Sequence, residues 1–430
     1  METTERLYLK NFGPIKELDI EIKPLMVFIG ESGSGKSAIL KLMSLLRWVH
    51  KQNNLRSFFY KAYSLPKKDF SLEIEELFEI SSIHEFIGKD TEIVFRINEV
   101  EYGYENSKFI YPKEKELKGV SLHKVAFISE NRGILPDIYT NTIYKKNHLG
   151  RRDWVALPYH LNETYDLFDT AYKKVGKKFH INSTELKFSY TSENRLDFFI
   201  EGEKEGDKFK IKLENASSGT KTALPTELIV HYLTQEFKFD DVLKNGLSKY
   251  LFSDGIEEII NNTSPISIEE YFGNIQKGFE ELSDNGIGNE ELSIFIEEPE
   301  LSLFPSAQRR LINRLVKDCF VENKQENCTT RLAFATHSPY ILTSLNNLLL
   351  AGEIAKLKPE KEEEINKIIP KAYWLTMEQI SVFSIEKGIV KPAIYEDENM
   401  INGDYLDSLS EEISEEFSKL LDIKYEEEGN

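Results

Sequence analysis

Short apolar runs alternate with amphipathic segments along most of the chain, and this pattern predicts a layered α/β protein. Buried strands are indicated where mostly apolar residues follow one another, as at Leu25–Ile29, Val125–Ile128 and Leu292–Ile296. Helices are indicated where apolar residues recur at steps of three and four. Because the two kinds of segment alternate, we expect a largely parallel sheet.

The remaining elements are predicted in the same way. Further strands are predicted at 6–11, 15–22 and 332–336, with a hairpin over 91–111 that turns near Asn98 and two or three strands over 185–213. Helices are predicted from 38 to about 48 and at 72–83, 161–175, 223–237, 306–320 and 340–350, with two more within 240–288. A helix that begins at Ala223 has Pro225 in its first turn, where proline is tolerated. The sequence contains no heptad array long enough for an extended coiled coil.

The pattern divides the chain into one large domain and a tail. Residues 1–395 are predicted to form one domain with insertions at about 50–90, 134–180 and 240–288. Residues 396–430 are predicted to form an acidic amphipathic helix and tail, because apolar residues such as Leu406, Leu409 and Ile413 recur at helical steps. This helix either packs on its own domain, which we favour, or docks an effector or a neighbouring subunit.

Composition narrows the class of protein. The 430 residues are 40% hydrophobic, which suffices for a sizeable core, and carry a net charge of −19. This charge argues against a dedicated nucleic-acid coat, although the basic cluster at 145–152 could contact nucleic acid instead of being a solvated surface. Two cysteines, Cys319 and Cys328, form no disulfide framework and favour a reducing compartment. With no signal peptide and no membrane span, a cytoplasmic protein is expected.

One motif predicts a nucleotide site. Gly30–Ser37 reads GESGSGKS and fits the phosphate-binding pattern G-x-x-x-x-G-K-[ST] at every fixed position. A buried strand precedes the motif and a helix follows it, so the backbone N–H groups of the loop could surround phosphate oxygens. The loop residues that would bind phosphate are Gly30, Glu31, Ser32, Gly33, Ser34 and Gly35. Lys36 would neutralise the β- and γ-phosphates, and the Ser37 hydroxyl would ligate Mg²⁺.

A second motif supplies carboxylates. The apolar strand that starts at Leu292 ends in Glu297 and Glu298, and Pro299 stops it. Phosphoryl transfer needs a carboxylate that holds Mg²⁺ and a group that orients the attacking water. We therefore predict that Glu297 serves the metal and that Glu298 activates water.

Two weaker motifs complete the set. Ser217, Ser218 and Gly219 precede a predicted helix, where they form either an anion-binding nest or an ordinary N-cap. His337 follows the strand at 332–336, where it either contacts the γ-phosphate or has no role.

In this order the four motifs resemble the ABC-type ATPase superfamily, in the branch of SMC-like and RecF-like heads and OLD-family ATPases. Ala216–Gly219 resembles the signature motif, Ile296–Glu300 the extended Walker B motif, Leu301–Leu303 the D-loop and His337 the switch histidine. The resemblance implies a P-loop NTPase fold with an ABC-type head and helical insertions, which binds ATP and Mg²⁺. It also implies a homodimer or higher homo-oligomer, in which the signature motif of one subunit completes the ATP site of another.

The chain departs from the superfamily pattern where a Q-loop glutamine is expected. The strand at Val125–Ile128 leads instead into Ser129–Arg132, and any of these four residues could replace the glutamine.

A narrower resemblance concerns the biological role. The compact size, the Ser-Ser-Gly helix with Pro225 and the acidic ending resemble stand-alone anti-phage ATPases, such as AriA of PARIS and PtuA of Septu. This implies a switch that controls a separate effector, foremost a nuclease, on a nucleic-acid or phage-protein trigger. The stretch after His337 is too short for the Toprim nuclease domain of OLD proteins. The alternatives are a DNA-repair ATPase that clamps DNA and a sequestering scaffold with little ATP turnover; a transporter motor is disfavoured.

Overall fold

A computed structural model describes most of the chain. It covers residues 4–63, 74–112, 121–139, 158–192, 196–202, 208–239, 241–242, 267, 290–324, 328–395, 400–403 and 415–420. The two helices predicted within 240–288, the basic cluster at 145–152 and most of the predicted tail lie outside these residues.

The described elements alternate along the chain. The strands are β1 (Glu5–Phe12), β2 (Ile15–Glu21), β3 (Leu25–Gly30), β4 (Ile87–Ile97), β5 (Val100–Glu105), β6 (Lys108–Ile110), β7 (Leu122–Ile128), β8 (Lys178–Ile181), β9 (Leu186–Thr191), β10 (Asp197–Gly202), β11 (Phe209–Lys212), β12 (Glu290–Glu297), β13 (Cys328–Thr336), β14 (Ile380–Glu386), β15 (Ile389–Pro392), β16 (Ile394–Tyr395) and β17 (Met400–Ile401). The α-helices are α1 (Lys36–Tyr63), α2 (Ile74–Ile80), α3 (Leu135–Tyr139), α4 (Tyr159–Val175), α5 (Ser218–Gln235), α6 (Pro305–Val316), α7 (Pro339–Leu357) and α8 (Glu362–Ile368).

An eleven-stranded mixed sheet forms the centre, in the order β6-β5-β4-β1-β2-β15-β14-β3-β13-β12-β7. Strands β14, β3, β13, β12 and β7 are parallel to one another. The prediction of a largely parallel sheet is wrong for the other wing, where β4, β1 and β2 pair antiparallel. Short turns join β1 to β2 and β4 to β5, and a short turn can only join antiparallel neighbours.

The parallel part of the sheet is buried on both faces. In β3, Leu25, Val27 and Ile29 belong to the apolar cluster on one face, together with residues of α4, α5, α6 and α7. Met26 and Phe28 belong to the opposite cluster, together with residues of α1, β1 and β2. Because successive strand residues point to opposite faces, a strand covered on both sides reads as an unbroken apolar run.

A second, four-stranded antiparallel sheet has the order β11-β10-β9-β8. Strands β9, β10 and β11 confirm the prediction of two or three strands over 185–213, and β8 is an additional strand before that range. The turn between β8 and β9 is bound to α5. Glu227 of α5 is buried and accepts hydrogen bonds from the backbone N–H groups of Asn182 at 2.7 Å and Ser183 at 2.9 Å. The small sheet is therefore fixed to the helix that begins at the predicted signature motif.

Several helix bounds differ from the prediction; α7, for example, ends at Leu357 rather than at Leu350. Helix α1 extends to Tyr63 rather than to about Trp48. Helix α5 begins at Ser218 rather than at Ala223, because the Ser217 side chain caps it by accepting a hydrogen bond from Thr220 N–H. Pro225 consequently lies in the interior of α5 and not in its first turn.

Residues beyond 395 continue the fold. Strand β17 pairs with β16, and Asn346 of α7 exchanges two hydrogen bonds with the backbone of Ile401, at 2.7 and 3.0 Å. Residues 415–420 are helical and exposed, with Phe417 61% and Leu420 64% accessible. The division of the chain at 395 stays a prediction. Within the described residues, no helix is both long and apolar enough to span a lipid bilayer.

The packing of α7 gives a test of the fold. A Cβ on buried Gly352 would collide with the backbone carbonyl of Leu375. Although alanine has the higher helix propensity by about 1 kcal/mol, Gly352→Ala is expected to lower the free energy of unfolding by about 2 kcal/mol. Urea denaturation measures this change. Asn347→Ala, at an exposed position of the same helix, is the control and should stay within about 0.5 kcal/mol; equal effects of the two substitutions would contradict the packing described.

Candidate nucleotide-binding site

The predicted site residues meet at one edge of the parallel sheet. Strands β3, β13 and β12 are neighbours, and in their register Ile29 lies opposite Thr336 while Ala335 lies opposite Glu297. The carboxyl ends of these three strands therefore lie side by side. The Gly30–Ser37 loop, His337 and the pair Glu297–Glu298 follow these ends directly.

The loop that follows β3 needs glycine. Gly33 and Gly35 have φ angles of +78° and +104°, in the region that other residues rarely adopt. A Cβ on Gly35 would also lie 2.9 Å from side-chain atoms of Ile15 and Pro14, in the turn between β1 and β2. Helix α1 starts at Lys36, so the free N–H groups of its first turn lie at the end of the loop. This arrangement is typical of a phosphate site.

Lys36 is held inside the loop. Its side chain is buried, with 5% exposed, and Nζ donates hydrogen bonds to the carbonyl oxygens of Gly30 and Glu31, both at 2.8 Å. Burial lowers the pKa of Lys36 to about 8, against the opposing effect of Glu298 and Glu300. A buried cation that is bound to two carbonyls of the loop could bind the phosphates of a nucleotide instead.

Glu297 offers an oxygen for a metal. The residue is buried, and its Oε2 accepts a hydrogen bond from Glu130 N–H at 3.3 Å. Its Oε1 is also buried and accepts no hydrogen bond from any described residue, with Lys41 Nζ 3.8 Å away. Burial and the charges of Glu297 and Glu298 raise the pKa of Glu130. A divalent cation would relieve this crowding of carboxylates.

The described residues contain no ready-made group of three or more His, Cys, Asp or Glu ligands. Mg²⁺ commonly binds through one or two protein oxygens together with substrate phosphates and water. Ser37, half-buried in the first turn of α1, and Glu297 would supply those protein oxygens.

Glu298 has an unusual backbone conformation. Its φ of +42° lies in the left-handed region, which costs a non-glycine residue about 1–2 kcal/mol. His337 Nε2 lies 3.4 Å from Glu298 Oε1, and the hydrogen bond from His337 lowers the pKa of Glu298. At neutral pH, Glu298 is therefore ionised and can accept a hydrogen bond from water.

Glu300 fixes the histidine from the other side. Its Oε1 accepts hydrogen bonds from Thr336 Oγ1 at 2.8 Å and from His337 N–H at 2.7 Å. Burial raises the pKa of Glu300. The third carboxylate of the Glu-Glu-Pro-Glu motif thus holds the end of β13, and with it the position of the His337 side chain.

The predicted signature motif lies in a second group of residues. Ser217 and Ser218 are exposed, and a Cβ on Gly219 would lie 2.7 Å from the carbonyl oxygen of Ser302. Thr222 Oγ1 donates to the Leu301 carbonyl at 2.8 Å, so the start of α5 is bound to the loop that follows Glu300. Within the described part of the chain, Ser217–Gly219 form no hydrogen bond with the Gly30–Ser37 loop. Ser217 is an N-cap, and the phosphate role of the motif stays a prediction.

Arg132 connects the two groups. Its side chain has no exposed surface, and it donates hydrogen bonds to four backbone carbonyls. Nη1 binds Glu297 O at 2.8 Å and Ser129 O at 3.1 Å, Nη2 binds Glu298 O at 2.6 Å, and Nε binds Thr222 O at 3.1 Å. Burial lowers the pKa of Arg132 to about 10, so it stays charged at neutral pH. Because it binds these carbonyls, it does not take the place of the missing Q-loop glutamine at the phosphates.

Sequence analysis gives no role to Lys41 and leaves that of Arg132 open. Lys41 lies four residues after Ser37 and therefore on the same face of α1, a spacing that could have pointed to it. The burial of Arg132 depends on contacts with β12 and α5, far away in sequence, and no local pattern indicates it.

Comparisons with known proteins agree with this geometry. A family model described as AAA ATPase domain matches residues 4–152, which include the loop. No curated protein matches the chain. The chain has a mixed α/β fold with a large central sheet, and its glycine loop follows the phosphate-binding pattern.

Solved structures with which the chain aligns include the SMC head domain from Thermotoga maritima, at 13% identity and a TM-score of 0.32, over 92% of this chain and 100% of that one. The recombination mediator protein RecF with ATPrS aligns at 10% identity, 90% and 97% coverage and a TM-score of 0.27. RecF with ATP aligns at 11% identity and a TM-score of 0.25, over 91% of this chain and 100% of that one. The function proposed below rests on the site and not on these structures.

The burial of Lys36 gives a testable proton linkage. Bound phosphates favour the charged lysine and raise its pKa. From a free pKa of about 8, ATP binding should take up about three-quarters of a proton at pH 8.5 and about a tenth near pH 7. Calorimetry in buffers of different ionisation enthalpy measures the uptake. Lys36→Arg, which is charged at both pH values, should bind without uptake; uptake equal to that of the wild type would contradict the assignment.

Proposed function

We propose that the protein is a Mg²⁺-dependent ATPase that acts as a nucleotide-driven switch. The observation that carries this proposal is the meeting, at one sheet edge, of a buried lysine inside a glycine loop and an ionised carboxylate beside a histidine. Lys36 supplies the first group, and Glu298 with His337 supplies the second. The negative charge of Glu298 raises the pKa of Lys36, so the two groups interact electrostatically. We therefore infer that they act on the same phosphate chain.

Binding would begin at the loop. The N–H groups of the loop and of the first turn of α1 would donate to phosphate oxygens, and Lys36 would exchange its bonds with the carbonyls of Gly30 and Glu31 for bonds to the β- and γ-phosphates. Ser37 and Glu297 would hold Mg²⁺. The ion, when bound, neutralises charge on the phosphates.

Hydrolysis would take place next to Glu298. Its carboxylate would accept a hydrogen bond from a water molecule and aim the water at the γ-phosphorus. A bond from the water oxygen to phosphorus forms while the bond to the β–γ bridging oxygen breaks, which gives ADP and phosphate. His337 would hold the Glu298 carboxylate and sense the γ-phosphate, because its ring lies beside Glu298 and its backbone is fixed by Glu300.

A second copy of the chain would complete the site. Ser217 and Ser218 are exposed at the start of α5 and form no hydrogen bond with the Gly30–Ser37 loop of the same chain in the described residues. Phe304 follows the Leu301–Leu303 loop and is 76% exposed. We infer that this surface closes over the ATP of a partner copy, so that ATP holds two copies together and hydrolysis releases them.

The closure would control a separate effector in an anti-phage system, foremost a nuclease. This finer role is supported by the resemblance of the motifs to stand-alone defence ATPases, by the absence of a long coiled coil from the sequence and by the acidic end of the chain. Release of a bound nuclease that requires ATP hydrolysis would support it, whereas co-purification of a nuclease that a phage component releases without ATP turnover would favour a sequestering scaffold. Salt-dependent DNA binding by the protein alone, lost on charge reversal of Arg151 and Arg152, would favour a DNA clamp instead.

The ATPase assignment is tested by two substitutions. Lys36→Ala removes the cation within the loop and should abolish ATP binding. Glu298→Gln keeps the loop but removes the negative charge and the basicity of the carboxylate that activates water, so it should bind ATP, hydrolyse it about 100-fold more slowly and accumulate as an ATP-bound dimer. Fluorescent-nucleotide titration, phosphate release and light scattering measure the three properties.

The matched control is Glu386→Gln, at the end of the neighbouring strand β14. This carboxylate has no place in the mechanism, and its loss should leave turnover unchanged. Hydrolysis by Glu298→Gln at the wild-type rate would refute the role given to Glu298.

A further inference from the structure

The backbone of Glu298 is held by three hydrogen bonds. Its N–H donates to Ala335 O at 3.0 Å, and its carbonyl accepts from Leu301 N–H at 3.1 Å and from Arg132 Nη2 at 2.6 Å. The φ of +42° is unfavourable for glutamate and persists only when the surroundings impose it. The guanidinium group of Arg132 donates to the carbonyls of both Glu297 and Glu298. It therefore fixes the peptide groups before and after the strained residue Glu298.

The same guanidinium group also reaches α5. Nε donates to the carbonyl of Thr222, one turn after the predicted signature motif. Gly133, next to Arg132 in the helical turn Glu130–Ile134, lies so close to α5 that a Cβ there would be 3.1 Å from Thr222 Cγ2. The planar fork of arginine fixes the directions of its donors, so the positions of α5 and of the Glu298 turn are not independent.

The hydrogen bonds of Arg132 are not ion pairs, although the charges of nearby glutamates favour its charged form. Arg132 is wholly buried, and its hydrogen bonds go to four backbone carbonyls rather than to a carboxylate. A buried guanidinium group is costly unless its donors are satisfied. An apolar side chain could fill the same space but could not bind carbonyls on three separate segments of the chain.

We propose that Arg132 is a positioning residue that couples the start of α5 to the carboxylate of Glu298. The inference rests on the proposed function: when Ser217–Gly219 engage the nucleotide of a partner copy, a shift of α5 reaches Glu298 through the guanidinium group. Hydrolysis at the chain's own loop thereby depends on whether its α5 is engaged. Arg132 itself touches neither phosphate nor water.

The test compares three variants. Arg132→Lys keeps the charge but loses the fork, and its kcat per folded molecule is expected to fall about tenfold or more, because small displacements of a reacting group are costly. Its KM for ATP should change less than about threefold, since the Gly30–Ser37 loop is untouched. Arg314→Lys is the control: Arg314 binds His231 at the other end of α5, at 2.8 Å, and has no contact with the Glu298 turn. It should keep the wild-type kcat.

The third variant keeps the guanidinium group of Arg132 and changes its neighbour. Gly133→Ala should separate the Glu130–Ile134 turn from α5 by a few tenths of an ångström and lower kcat in the same direction, so the proposal stays testable if Arg132→Lys does not fold. A folded Arg132→Lys or Gly133→Ala variant with the kcat of the wild type would overturn the coupling. So would an equal loss in Arg314→Lys. If the wild type hydrolyses no ATP, the proposed function fails, and the inference with it.

Discussion

The parallel register of β3, β13 and β12 is the constraint on which the candidate site depends. It places the glycine loop, His337 and the Glu297–Glu298 pair at adjacent strand ends. A shift of one residue between these strands would turn every side chain of the shifted strand to the other face, where it would meet helices shaped for different side chains. Since both faces of the sheet are buried, the packing that stabilises the fold also fixes the site.

In the proposed function, a single chain provides only part of each ATP site. The phosphate loop and the carboxylates form one group, and Ser217–Gly219 with the Leu301–Leu303 loop form another, whose serines are exposed. Arg132 is bonded to both groups. A switch needs such a pair of surfaces: one that binds the nucleotide, and one that reports whether a partner has closed. In the proposed function, closure by a partner shifts α5, and this shift changes the position of the strained Glu298 turn.

The parts of the site that follow from the sequence are those with local causes. The glycine loop, the buried strand before it and the strand ending in Glu297 are contiguous motifs, and the structure assembles them at one edge. The antiparallel wing, the start of α5 at Ser218 and the burial of Arg132 depend on pairings between distant segments. Helix propensity places Pro225 near a helix start, but the Ser217 cap decides where the helix begins. Sequence analysis restricts the Q-loop position to Ser129–Arg132, and only the structure removes Arg132 from the choice.

The central claim is that a second copy completes each ATP site. It can be tested by mixing two inactive variants, Lys36→Ala, which lacks the loop cation, and Ser218→Arg, which blocks the signature surface. If the site is shared, a mixed dimer contains one intact site, formed by the loop of the Ser218→Arg chain and the signature surface of the Lys36→Ala chain. The account predicts that ATP-dependent dimers, absent from either variant alone, form on mixing and are most abundant near equal concentrations, as light scattering measures. A mixture that stays as monomeric in ATP as its components would contradict it.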